Sequence, residues 1–186
     1  QVTANREHSY KAARRYVEFL DSKQERLKEN ASRFVIGLSN FMISCQALQG
    51  KEKEIAGTIL KLREIEHHKY FKEESIQLKI FLARYVNDAV LCIHSCAYDR
   101  ADEIAEGIDR GLERFGEGIN INERMMLCYY LAYLFFGNGN YSGALKWNNH
   151  ILHHYERNVR EDIQCYSRLL NLIIHYEKGN VDILEY

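Results

Sequence analysis

Proline is absent from all 186 residues. Average usage would be about 5%. Its ring breaks helix interiors and is common in turns, so its absence fits long helices joined by short links. An excess of either charge is also missing: 25 Lys and Arg stand against 26 Asp and Glu, for a net charge of −1. No general basic field exists to hold nucleic acid or an anionic membrane. Neither a secretory signal nor a long apolar run is present. Met125 to Leu145 carries no charge, but its apolar part ends at Phe136, before Gly-Asn-Gly-Asn-Tyr-Ser-Gly. About 12 apolar residues are too few to cross a hydrocarbon layer of about 30 Å. The stretch reads as a buried core helix, and we expect no membrane partner.

Catalytic signatures are missing as well. There is no Gly-x-Ser-x-Gly elbow, no P-loop and no dinucleotide fingerprint. Cysteine and histidine both occur, but no local signature pairs them, so we expect no enzyme activity. The cysteines are odd in number: Cys45, Cys92, Cys96, Cys128 and Cys165. Each falls inside a helical pattern. They read as reduced, mostly buried small hydrophobes of a cytoplasmic protein.

What the chain does have is apolar residues (46%) mixed with charged ones (27%), the balance of a folded chain of one domain. Apolar positions recur at helical spacing almost throughout. Ile76, Ile80, Phe81, Tyr85, Ala89, Cys92, Ile93 and Cys96 form one stripe; Ile163, Tyr166, Leu170, Ile173 and Ile174 form another. No run alternates strictly, so no strand is expected. The pattern predicts helices near 9–27, 31–48, 51–68, 72–96, 99–115, 122–137, 141–157 and 160–178. Gly50, Gly116 with Gly118, Gly137 with Gly139, and Gly179 fall between them and suit left-handed helix ends. Gly37, Gly57, Gly107 and Gly111 lie inside the predicted helices. Each costs about 1 kcal/mol relative to alanine unless close packing offsets it.

Three groups are candidates for chemistry, and each has a plainer reading. Cys92 and Cys96 lie one turn apart, but His94 between them points elsewhere and no second pair completes a zinc site; packing is the reading. His150 and His154 share a helix face without the His-Glu-x-x-His pattern; a polar face is the reading, and we expect neither metal nor cofactor. Lys11-Ala12-Ala13-Arg14-Arg15 is the most compact basic group, too short to mark a nucleic-acid surface. The seven carboxylates between Asp99 and Glu117 read as a solvated helix face.

An internal repeat is visible around Leu131-Ala132-Tyr133-Leu134-Phe135-Phe136-Gly137-Asn138-Gly139-Asn140-Tyr141-Ser142-Gly143-Ala144-Leu145. Two helices approach to about 8–10 Å only where side chains are small. Here Ala132 and Ala144 would supply the small positions, joined by Gly139-Asn140-Tyr141, with the tyrosine covering the hairpin end. Tyr10 with Ala13, Glu52 with Ile55 and Ala56, Tyr98 with Ala101, and Gly179-Asn180-Val181 repeat this phase. The anchors 10, 52, 98, 141 and 181 are spaced by 42, 46, 43 and 40 residues. The pattern resembles the tetratricopeptide repeat, whose period is about 34. The resemblance is specific over 125–152, weaker over 9–20 and 98–108 and loose elsewhere, and the usual proline after the second helix is missing.

That resemblance implies an all-α fold of antiparallel helical hairpins stacked as a solenoid, about four of them. It also implies a protein- or peptide-binding scaffold whose first helices line a groove. Carried onto this chain, its groove positions are Met126, Tyr129, Tyr133 and Phe136, and, one spacing later, Tyr166, Leu169, Ile173 and Tyr176. Leu172 stands there where the family has a small residue. The alternative is that these side chains pack between hairpins as core. At the level of function, the alternative is a ligand-sensing domain of a larger regulator. Starting at Gln1, with Tyr10 read as opening a second helix, the chain is expected to be a fragment of a longer solenoid.

Overall fold

The computed structural model describes residues 2–22, 27–155 and 159–180. Eight α-helices account for most of these residues, and no strand occurs among them. They are α1 (Val2–Asp21), α2 (Leu27–Gln46), α3 (Glu52–Glu66), α4 (Glu74–His94), α5 (Ala101–Phe115), α6 (Ile121–Gly137), α7 (Tyr141–His154) and α8 (Glu161–Glu177). Short 3₁₀ turns precede α4 and α5 and follow α5. No helix of the described residues is long and apolar enough to cross a membrane. The chain gathers into two compact units, residues 1–91 and 92–186.

In the first unit α1 packs on α2 and α2 on α3. Phe34, Leu38, Met42, Leu62, Phe71 and Ile80 are its largest fully buried side chains. Buried polar groups tie the elements together. Gln77 Nε2 donates to the carbonyls of Glu66 (2.8 Å) and Phe71 (2.9 Å), fixing the start of α4 to the end of α3. Gln46 Nε2 donates to Asn87 Oδ1 (2.8 Å), linking α2 to α4. With partners in place, these groups avoid the penalty of unpaired burial.

The second unit is built on α6. Its start carries a capping box: Asn120 Oδ1 accepts from the Glu123 amide and Glu123 Oε2 accepts from the Asn120 amide, both at 3.0 Å. Its end is closed by Gly139 at φ +74°. Asn140 then caps α7, accepting from the Gly143 amide at 2.9 Å. Ala132 and Ala144 are both fully buried, and a Cβ on Gly143 would meet the Phe135 ring at 3.0 Å. Gly143 thus lets α7 approach the Phe135 ring of α6 closely. Tyr141 lies over Phe136, ring centroids 5.8 Å apart, and closes the hairpin end.

α8 repeats α6 at a spacing of 40 residues. Both helices are 17 residues long, and both their starts and their ends differ by 40. The residue after each, Asn138 or Lys178, donates its amide to the carbonyls four and two positions back. A glycine at φ +74° or +70° follows. A 40-residue spacing thus separates equivalent points of α6 and α8.

Several expectations need correction. α1 begins at Val2, so Tyr10 lies mid-helix and opens nothing. Cys96 lies beyond the end of α4 at φ +55°, not inside a helix; it closes the helix as a left-handed cap, the Ala97 amide donating to the Cys92 carbonyl at 2.9 Å. The expected 163–174 stripe splits: Ile163, Leu170 and Ile174 are buried, whereas Tyr166 and Ile173 are exposed. Gly37 is packed against Tyr16, but nothing lies within 4 Å of a Cβ built on Gly57. Val181, an anchor of the repeat, lies outside the described residues.

Two substitutions test these packings. Ala144→Leu should overpack the α6–α7 crossing and destabilise by about 1–3 kcal/mol in chemical denaturation; an unchanged midpoint would refute the crossing. Gly57→Ala, entering open space mid-helix, should stabilise by about 0.4–1 kcal/mol.

Candidate functional site

The candidate site is the outer face of α6 together with that of α8, which touches it. On α6, Met125, Leu127, Cys128, Leu131, Ala132, Leu134 and Phe135 are buried. The four expected groove positions are less covered. Tyr133 is exposed (37%), while Met126, Tyr129 and Phe136 are half-buried. On α8 the inward face is Ile163, Gln164, Ser167, Leu170 and Ile174. Asn148 Nδ2 on α7 holds this face, donating to the Ser167 carbonyl at 2.9 Å. The other face leaves Tyr166 58%, Leu169 50%, Ile173 46% and Tyr176 70% exposed.

Some of the expected residues converge and others do not. Tyr129 and Tyr133 have ring centroids 6.2 Å apart. Burial raises the phenol pKa of Tyr129 above the ordinary value, and the nearby Tyr133, Tyr166 and Tyr130 add to the rise. Tyr98, in the turn before α5, is raised for a similar reason: burial first, then a hydrogen bond with Cys96 and the neighbouring Tyr133. Tyr98, Tyr133, Tyr129 and Tyr166 thus form a run of phenols, and no ionised side chain figures in the shifts of Tyr129 or Tyr98. Phe136 instead packs on Tyr141, and so serves the hairpin end. Tyr176 stands at the far end of α8.

Tyr98 was missed as a site residue, although it was visible as a repeat anchor. Its ring fills the space beside Gly137, where a Cβ would collide with it. The signal was the glycine ending α6, which permits that approach.

The other groups offer little reactive chemistry. Cys128 Sγ lies 3.9 Å from His150 Nδ1. Burial pushes the thiol up to about 12 and pushes His150 below its ordinary value, the latter reinforced by His154 and Arg124. A nucleophilic pair needs a thiol shifted the other way. The His150 and His154 rings stack at 4.4 Å. Among the described residues no group of three or more His, Cys, Asp or Glu is arranged to hold a metal ion.

In the first unit, Tyr10 Oη donates to Glu54 Oε2 at 2.7 Å, and Lys51 Nζ reaches Glu54 Oε1 at 2.9 Å. Arg14 of the basic group is engaged by Glu18 (2.9 Å), and Lys11 by Glu7 (3.4 Å). A shallow cleft of about 290 Å³ opens beside them, between Arg14, Phe41, Glu54, Gly57 and Lys61. The acidic helix α5 turns its carboxylates to solvent, as expected.

Comparison with protein-family models, with curated proteins and with solved structures finds no match to this chain.

Thiol labelling tests the burial pattern. Cys96 and Cys165 are exposed, and Cys45, Cys92 and Cys128 are buried. The native protein should therefore release colour from an aromatic disulfide reagent in two steps: two thiols promptly, three only on unfolding. Prompt reaction of Cys128 would contradict its raised pKa.

Proposed function

We propose that the chain is a tetratricopeptide-like helical-repeat scaffold that holds a protein or peptide partner and catalyses no reaction. In this reading α6 and α7 form one repeat, α8 opens the next, and the partner lies on the outer faces of α6 and α8. Met126, Tyr129, Tyr133, Tyr166 and Tyr176 would supply contact area. Phe136 would contribute from the hairpin end.

The observation that supports the reading is the 40-residue register of α6 and α8, in which Tyr133 and Ile173 are exposed at equivalent positions and half-buried Met126 and Tyr129 correspond to exposed Tyr166 and Leu169. Scattered exposed apolar residues are ordinary; a contiguous set of them marks an interaction surface. Tyrosine suits such a surface, because its ring gives apolar area and its hydroxyl gives direction. A run of phenols also favours neutral peptide groups over phosphates, which call for arginine or lysine.

Tyr133→Ala separates binding from packing. The partner is first captured with the full-length protein, and its affinity is then measured with the variant. Affinity should fall at least about tenfold, a change of 1.4 kcal/mol, with little change in melting temperature. A stability loss of about 3–5 kcal/mol, as for a truncated core aromatic, would reject Tyr133 as a site residue.

A further inference from the structure

We propose that His150 and His154 bind a divalent transition-metal ion, of the nickel, copper and zinc class, on the last turn of α7. The site belongs to α7 alone and calls for no partner protein.

Side chains four apart on a helix stand one above the other on the same face. Here the two rings have closed on each other: their centroids are 4.4 Å apart and their planes 17° from parallel. Imidazole nitrogens bind such ions at about 2.0–2.1 Å, so two nitrogens on one ion stand at most about 4 Å apart. Rings this close reach a shared ion with small rotations. His154 is exposed and His150 half-buried, so an ion enters directly from solvent.

The inner nitrogens decide which atoms would bind. His154 Nδ1 lies 3.2 Å from the His150 carbonyl. A carbonyl only accepts, so Nδ1 carries the proton and Nε2 keeps its lone pair. His150 Nδ1 faces the buried Cys128 Sγ at 3.9 Å. With Nδ1 donating to the sulfur, His150 Nε2 supplies the second lone pair. Histidines that hold metals are oriented in this way, by a hydrogen bond from the ring nitrogen that does not bind. A solvated helix face has no need of either bond.

The donors also select the ion. Two neutral imidazole nitrogens suit nickel, copper and zinc, whereas calcium and magnesium take oxygen ligands. Two cations stand near, and both are engaged elsewhere. Arg124 donates to the Gly116 carbonyl at 2.7 Å, and Lys146 lies over the Trp147 ring at 5.0 Å. The carbonyl end of α7, by contrast, favours positive charge. Among the described residues no group of three ligands is arranged, so water would complete the coordination and the ion should exchange freely.

Titration calorimetry with nickel on the native protein, without a polyhistidine tag, tests the proposal. Nickel is the probe because copper would oxidise the exposed thiols of Cys96 and Cys165. One ion should bind per chain and raise the melting temperature; calcium should do neither. His154→Gln, at an exposed position, should raise the dissociation constant at least about tenfold and leave the melting temperature of the metal-free protein unchanged. His150→Gln should weaken binding in the same direction. His153→Gln, on another face of α7, should not. Absence of saturable binding overturns the proposal, as does binding that survives both His150→Gln and His154→Gln, or that falls equally with His153→Gln.

Discussion

The second unit depends on one constraint, the close crossing of α6 and α7. Gly143 keeps side-chain bulk away from the Phe135 ring, and Ala132 and Ala144, both fully buried, leave no room for a larger side chain. Once α7 lies there, Tyr141 falls over Phe136 and Asn148 reaches the Ser167 carbonyl on α8. Both α6 and α8 then have their inward faces committed, and the other positions have nowhere to go but outward. The exposed tyrosines are thus a consequence of where the small residues sit. A leucine at position 132 or 144 would disturb the surface and the core together.

Much of this was legible because local rules agree. Glycine at helix ends, asparagine caps and 3.6-residue periodicity all mark the same boundaries around α6 and α7, and α2 to α5 and α8 fall within about four residues of expectation, whereas α1 starts seven residues early and ends six early. Tyr10 failed for a physical reason. Its spacing to Ala13 matches a hairpin opener, yet nothing before it stops a helix, and α1 runs on from Val2. Its ring is spent on the core, stacked near Phe41 at 5.7 Å, and its hydroxyl on Glu54.

The binding face was legible in part. Periodicity fixes which residues share a face but not whether that face is covered. The apolar residues of α8 therefore read as one stripe, although Leu170 and Ile174 face inward and Tyr166 and Ile173 outward. Tyr98 could not be placed beside Tyr133 from sequence, because the placement depends on Cys96 taking φ +55° and on Gly137 leaving room for the ring. Neither shows in a hydropathy pattern.

The two units use tyrosine in opposite ways, and the difference explains where binding is sought. In the first unit Tyr10 is buried, and its hydroxyl sits among Glu54, Lys51 and Arg14. Glu54 shows the balance: burial works to raise its carboxyl pKa, but the bonds from Lys51 and Tyr10 outweigh it and hold the pKa below the ordinary range. A buried phenol with charged partners is a fixed structural joint, because freeing it would strand a polar group. In the second unit the Tyr129 ring stands beside that of Tyr133, and Tyr133 and Tyr166 are exposed. A hydroxyl in water exchanges it for an incoming amide at little cost. The same side chain thus anchors a core where charged groups hold its hydroxyl and offers a surface where water does.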